Sequence, residues 1–410
     1  MSLAAALRTA SVYAFATPRR ACRTRRPFGK LAAGLLIGAL ATVWTLGASR
    51  SALAAGPLNV RIGFVSPLSG DYANYGRDLE NGVQLALDEA NAQNLKIGEQ
   101  TAHFELVPID DRSDPRLGVQ AAATLANQGV NAVVGHFNSG SAIPASRIYE
   151  SAGIPMISPA ATNPVITSQG FANTFMVIAN DAQNAGIAGA WAVDVMKAKR
   201  VAIIDDRTAF GQGEADVFEH AVREHGGNVV AREFAESVAS DFGPQLAKIK
   251  AADADLLYFG GLAHQGAALV TQMKARSMNA QFVGGGGVAN ADFTQAAGAA
   301  AEGAMAWEYG RPLAQLPDGP RFEQAYKNRF GTNVLAYAPF GYDAAWAAIH
   351  AMVNAKSAKP DVYRSALKAL AVDGVTGRIA FEQDGSLKNG ASTLWQVKKG
   401  VWAPVTTRGG

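Results

Sequence analysis

The chain has 410 residues, enough for two domains and a large core. Its formal charge of +3 is unevenly placed: eight of the 37 Lys and Arg lie in residues 1–54, which hold no acid, so the rest of the chain carries all 34 acids and is net acidic. That excludes nucleic-acid binding through a basic face, and the single cysteine, Cys22, leaves no disulfide or thiol chemistry beyond the leader.

The basic N-terminal run leads into an apolar segment, Leu31 to Ala48, and then into small residues at Ala52 and Ala54. This is the pattern of a secretory signal peptide cleaved after Ala54. The alternative is a retained membrane anchor, since about 18 apolar residues just span a bilayer. Thr24 to Lys30, TRRPFGK, resembles a twin-arginine export motif, and Cys22 stands on the wrong side of the apolar segment for a lipoprotein. Residues 55–410 contain no apolar run long enough for a transmembrane helix, so the mature chain reads as soluble and exported.

From here strand and helix signals alternate, the pattern of a doubly wound α/β protein. Val60–Val65 is a strand ending in a Pro-Leu-Ser-Gly-Asp turn, and Tyr75-Gly76 opens a helix with apolar positions at Val83, Leu85, Ala86 and Ala90. The strand His103–Ile109 runs into Asp110-Asp-Arg-Ser-Asp-Pro115. Three acids in five positions raise a metal cluster, but Asp114 as N-cap with Pro115 at the first helical position is the better reading, and a helix 116–128 follows. Strands at Ala132–Gly135 and Ile154–Ser158 flank a short helix over Ile143–Ala152.

The order repeats from Arg200–Asp205, with Phe210-Gly211 before a helix, the strand Val229–Phe234, the helix Phe242–Ala251 and the strand Asp255–Gly260. Ala280–Val283 then enters the glycine run 284–287. Helices over Pro320–Phe330, Phe340–Asn354 and Asp361–Leu370 precede two strands, Gly377–Glu382 and Thr393–Val397, joined at Asp384-Gly385. The expected fold is two Rossmann-like lobes, residues 55–178 with 308–385 and residues 179–307 with 386–410, joined by a hinge that the chain crosses more than once.

In an open parallel sheet, ligands bind beyond the carboxyl ends of the strands. The stretch Ala132–Pro164 puts Ser139, Ser141, Ala160, Ala161 and Thr162 there. Hydroxyl and backbone donors without a charge of their own suit an anion, so a carboxylate is the expected guest.

Several stretches together resemble the leucine/isoleucine/valine-binding protein family, the periplasmic receptors of ABC importers with the type I fold: Tyr75-Gly76, Asp110-Asp111, Gly135-His136, Pro144-Ala-Ser146, Pro159-Ala-Ala-Thr162, Gly211-x-Gly213, Gly260-Gly261 and Gly287-Val-Ala-Asn290. The resemblance runs from about Leu58 to the C-terminus. It implies that Ser139, Ala160 and Thr162 hold an amino-acid carboxylate. It also implies an aromatic wall at Tyr75 and Phe210, with Tyr337 near the hinge, and a monomer that delivers its ligand to an inner-membrane permease without a cofactor. Two departures bear on specificity. Leu262 stands where the family has Tyr, and Gly286 where many members have the Glu that receives the ammonium group. Asp206, Asp181, a backbone carbonyl or water would have to replace it, or the guest is an amine-free aromatic or branched acid. Ser113 and Asn138 replace the family's Cys pair.

Two rival readings remain. Gly284–Ala289 fits a dinucleotide fingerprint, with Glu308 about twenty residues on, but a four-glycine run meets that pattern trivially and Asn290-Ala-Asp292 reads as the true helix start. A ligand sensor would need a retained anchor or an output domain. His220 and His225 are off the spacing for a shared metal, and His136 reads as a hydrogen-bonded structural residue.

Overall fold

The computed structural model of the protein describes residues 56–410; the basic run, the apolar segment, Cys22 and the cleavage site after Ala54 lie outside the described residues. The first sheet is built from β1 (Leu58–Ser66), followed by α1 (Ala73–Ala92), β2 (Lys96–Ile97), β3 (Gln100–Asp110), α2 (Pro115–Gln128), β4 (Ala132–Gly135), α3 (Ser139–Ala152), β5 (Met156–Ser158), α4 (Val165–Ser168) and β6 (Thr174–Met176). Its order is β2-β3-β1-β4-β5-β6, parallel except for β2. The last five residues of β1 are all buried, as expected of a central strand with helices on both faces.

The second sheet takes α5 (Asp181–Asp194), β7 (Val201–Asp205), α6 (Ala209–Glu224), β8 (Val229–Phe234), α7 (Gly243–Ala251), β9 (Leu256–Gly260), α8 (Ala263–Ala275), β10 (Gln281–Gly284), α9 (Ala291–Ala297) and β11 (Met305–Tyr309). Three helices then return to the first sheet: α10 (Gly319–Phe330), α11 (Ala338–Asn354) and α12 (Pro360–Lys368). They lead to a separate ribbon of β12 (Ala371–Gly374) and β13 (Gly377–Ala380). The chain closes on the second sheet with β14 (Ser392–Lys398) and β15 (Val401–Arg408), in the order β15-β14-β11-β10-β9-β7-β8. Each sheet with its helices is a doubly wound lobe with its own apolar core, and the chain crosses between lobes after β6, β11 and β13.

The helix starts follow the sequence chemistry. Asp114 caps α2 by accepting from Arg116 N at 2.8 Å, with Pro115 first in the helix and Gly129 closing it at φ 65°. The carboxylates of this turn are thereby used as caps, and among the described residues no group could hold a metal ion. α11 packs so closely on α1 that a Cβ at Gly82 would sit 2.0 Å from the Ala338 carbonyl oxygen. Asp78 on α1 pins that contact: its carboxylate accepts from the N–H groups of Leu335, Ala336, Tyr337 and Ala338 at 2.7–3.0 Å, and from the Tyr326 hydroxyl at 3.0 Å.

Three expectations are corrected. The turn at Asp384-Gly385 is present, but the strand at 377 does not pair with β14. It pairs back on β12, because Asp343 gathers the N–H groups of Val375 and Thr376 and holds the turn between them. The helix expected from Ile143 begins at Ser139, with Pro144 inside it, so Ser139 and Ser141 are first-turn helical residues rather than loop. Helix α5, rich in Ala and Gly, the short strands β6 and β11 and the mostly polar or exposed β15 add elements whose apolar pattern is too weak or too brief to read. Among the described residues no helix is long and apolar enough to cross a membrane.

Candidate functional site

The carboxyl ends of β4 and β5 face those of β7, β9 and β10, and their loops are joined across the gap. Asn163 Nδ2 donates to the Ala209 carbonyl at 2.7 Å, Asn290 Nδ2 to Tyr75 Oη at 3.0 Å and Asn74 Nδ2 to Asp292 at 2.8 Å. Between them lies a cavity of about 370 Å³, a size suited to a small molecule. Of the expected residues, Asn138, Ser139, Ala160, Phe210, Leu262 and Tyr337 line it, while Tyr75, Ala161, Thr162 and Gly286 stand one layer back.

The first-lobe wall presents hydrogen-bond donors to the cavity. Asn138 occupies the N-cap of α3 without bonding through its side chain, so the N–H groups of Ser139 and Gly140 open towards the cavity. Asn138 Oδ1 and Ser113 Oγ, at the positions of the family's Cys pair, are buried without hydrogen-bond partners beside them. Ser139 Oγ accepts from Asn163 N at 3.3 Å and so holds the 160–163 loop against the helix. Among the described residues no backbone carbonyl takes the N–H groups of Ala160, Ala161 or Thr162. Tyr75 is not itself the wall. It stacks at 6.1 Å on Phe137, and both rings set the edge of Tyr337, so Phe137 and Tyr337 present the aromatic surface that Tyr75 supports.

The second-lobe wall carries Phe210, Leu262 and Asp206. Asp206 Oδ1 accepts from Thr208 N at 2.9 Å and Thr208 Oγ1 at 2.6 Å, while burial pushes its carboxyl up to about 6. Tyr309, at the end of β11, closes the floor. Its hydroxyl donates to Asp181 Oδ1 at 2.9 Å, meets Thr162 Oγ1 at 3.1 Å and lies 3.5 Å from Glu214 Oε1. At Gly286 a Cβ would fall 2.1 Å from the Tyr309 ring, and at Gly285 one would fall 2.1 Å from Glu214 Oε2. The room a larger residue 286 would need is filled by Tyr309 and its acidic backing.

Of that backing, the sequence pointed to Asp181 as a possible ammonium acceptor but not to Glu214. Asp181 and Glu214 are fully buried and Glu308 is half-buried, and desolvation raises all three carboxyls, Glu308 to about 7 and Glu214 also through the nearby Asp181. Glu214 lies on the same helical stripe as Gly211, Phe218 and Val222, all buried, which was the available signal. Tyr309 had none, since it meets Thr162 from 147 positions away.

The dinucleotide reading fails on the same loop. The N–H groups of Gly285, Gly286 and Gly287 are spent on the Phe259 carbonyl, Glu214 and Glu308, and Glu308 also takes Ala289 N, so neither the pyrophosphate cradle nor the ribose acceptor is free. Asn290 is the N-cap of α9, as expected. His225 bonds Asp194 at the surface, His220 is exposed, and His136 is buried against Tyr149.

Comparison with known proteins gives one answer. The profile of the periplasmic binding protein family matches residues 59–401. The chain is 32% identical over 364 residues to the Leu/Ile/Val-binding protein homolog 1 of Brucella suis, across 88% of this chain and 95% of that protein. It is similar to the crystal structure of a leucine binding protein from Thermotoga maritima, with a TM-score of 0.79 at 25% identity over 85% of this chain and 98% of that one. A solute binding protein from R. palustris in complex with benzoate shares the fold, with a TM-score of 0.76 at 19% identity over 86% and 97% of the two chains.

Proposed function

The chain belongs to the periplasmic binding protein family, among the Leu/Ile/Val-binding substrate-binding proteins of ABC transporters, and from that premise we propose that it captures a hydrophobic amino acid in the interlobe cavity and delivers it to an inner-membrane permease. These relatives bind solutes and are not enzymes. In this reading residues 1–54 are the export signal, cleaved after Ala54, and the protein works as a monomer in the periplasm.

One observation carries the choice of guest: the uncapped start of α3 and the uncommitted N–H group of Ala160 face Asp206 and the acid-backed Tyr309 across one small cavity. A zwitterion matches both poles, its carboxylate on the donors and its ammonium on the acids. Ser139, Ala160, Ala161, Thr162 and Asn138 serve the carboxylate, and Phe210, Leu262, Tyr337 and Phe137 the side chain, with Tyr75 supporting Phe137 and Tyr337. Gly286 leaves its usual role to the acids. Closure follows from differential contact, since a ligand shifts two states only by binding one better. The second reading, an amine-free carboxylate, is favoured by Gly286 itself. Thermal-shift screening against amino acids and their amine-free counterparts decides between them, because a ligand that binds only the folded form raises the midpoint. Stabilisation only by amine-free acids would overturn the first reading, and stabilisation by neither class would overturn both.

A further inference from the structure

The cleft reading leaves an unbalanced charge. Asp181, Glu214 and Glu308 sit together behind the cavity floor, and the groups that face them are one another, Thr162, Asn184, backbone N–H groups and the hydroxyls of Tyr258, Tyr309 and Tyr337. No basic side chain is among them. Asp181 Oδ2 and Glu214 Oε2 have no hydrogen-bond partner although both side chains are fully buried. A buried carboxylate without a counter-ion holds a proton or waits for a cation. Two acids brought within reach of one phenol share their protons as a pair.

Tyr309 connects this pair to the ligand. It lines the cavity, its single proton goes to Asp181, and Thr162 takes up one side of its oxygen. One lone pair is left for an N–H from the cavity. We propose, resting on the transport reading above, that Tyr309 with the pair Asp181 and Glu214 is the specificity-determining ammonium receptor of this protein, substituting for a side chain at Gly286, and that amino-acid binding there releases a proton. The ammonium group meets the Tyr309 oxygen with a carboxylate one hydrogen bond behind it. Its positive charge favours ionisation of the pair, and the displaced proton leaves to solvent. An amine-free acid places its carboxylate on the first-lobe donors and no cation at the floor, so it gives the pair no reason to ionise and releases no proton. The proton exchange therefore reports which chemistry the floor is built for.

The test is titration calorimetry of the protein near pH 7 in buffers of low and high ionisation enthalpy, with leucine, phenylalanine and alanine against 4-methylpentanoate, 3-phenylpropanoate and propanoate. The expected result is proton release with at least one amino acid, and tighter binding of it than of its amine-free partner. Tyr309→Phe is expected to weaken that amino acid on the order of tenfold while leaving the amine-free acid nearly unchanged. Glu214→Gln, which cannot share a proton, is expected to abolish the release near neutral pH. Amino-acid binding without proton release overturns the proposal and leaves the transport reading standing. So does release that survives Glu214→Gln and vanishes in Asp206→Asn, which would move the receptor to Asp206. Preferred binding of the amine-free acids overturns the proposal, and no binding of either class overturns it together with the transport reading. Should the variants unfold, the buffer comparison on the unaltered protein still decides.

Discussion

Replacing Asp78 by Ala removes the acceptor for four backbone N–H groups at the start of α11 and for the Tyr326 hydroxyl. The first N–H groups of a helix have no partner within it, so what they lose is not regained locally. Leu335 and Ala336 are half-buried, and water can reach their N–H groups; those of Tyr337 and Ala338 and the phenol are buried and pay in full. At about 1–3 kcal/mol for each buried group left unpaired, with some relaxation, the loss comes to about 4 kcal/mol. Asp78→Asn keeps one acceptor oxygen and should cost about half of that. Urea unfolding at constant m-value measures both. Because Tyr337 begins α11 and lines the cavity, ligand affinity should fall in the same order as stability. A loss below about 1 kcal/mol, or an Asn variant no better than Ala, would refute the argument that Asp78 anchors this helix.

Ser139→Ala combined with Thr162→Ala should weaken ligand binding by about 2 kcal/mol, since a carboxylate loses the Ser139 hydroxyl and Tyr309 loses the Thr162 hydroxyl that holds it; unchanged affinity by calorimetry would remove both from the site. Gly286→Glu should destabilise the fold and abolish binding, because its Cβ already collides with the Tyr309 ring; adding Tyr309→Ala should recover part of the stability, and a single variant as stable as the parent would show that Tyr309 moves freely. Burial raises the Glu308 carboxyl from 4.5 to about 7, so the native state binds more protons than the unfolded one between those values. Its contribution is present below about 4.5 and lost as pH rises through about 7, a decline on the order of 3 kcal/mol to which Asp206 and Asp343, both raised to about 6, add in the same direction. The ligand-free thermal midpoint should therefore fall from pH 5 to pH 8, and a rising midpoint would contradict the buried-acid account.

What could be read from sequence was what local chemistry signals. Asp114 and Asn290 announced their helices because a cap needs only its own neighbours, and the strand ends at Gly135, Ser158 and Gly260 announced the cleft because α/β topology fixes which end is open. Pro144 concealed the first turn of α3, since proline favours the start of a helix while here it sits one turn inside. Asp78 carries no local signal of its role, because its partners come only with the return of the chain more than 250 residues later. Tyr309 escaped for the same reason, being brought to Thr162 by a crossing between lobes rather than by spacing.

Those crossings also bear on how the chain is made. The core of the first lobe draws on α11 as well as on β1 to β6, and the second sheet needs β14 and β15 at its edge. A ribosome that has synthesised three quarters of the chain has therefore completed neither lobe. The first lobe closes only once α11 has emerged and the second only with the final residues, so a chain cut short after Phe330 should be found with chaperones or proteases rather than as a folded single lobe.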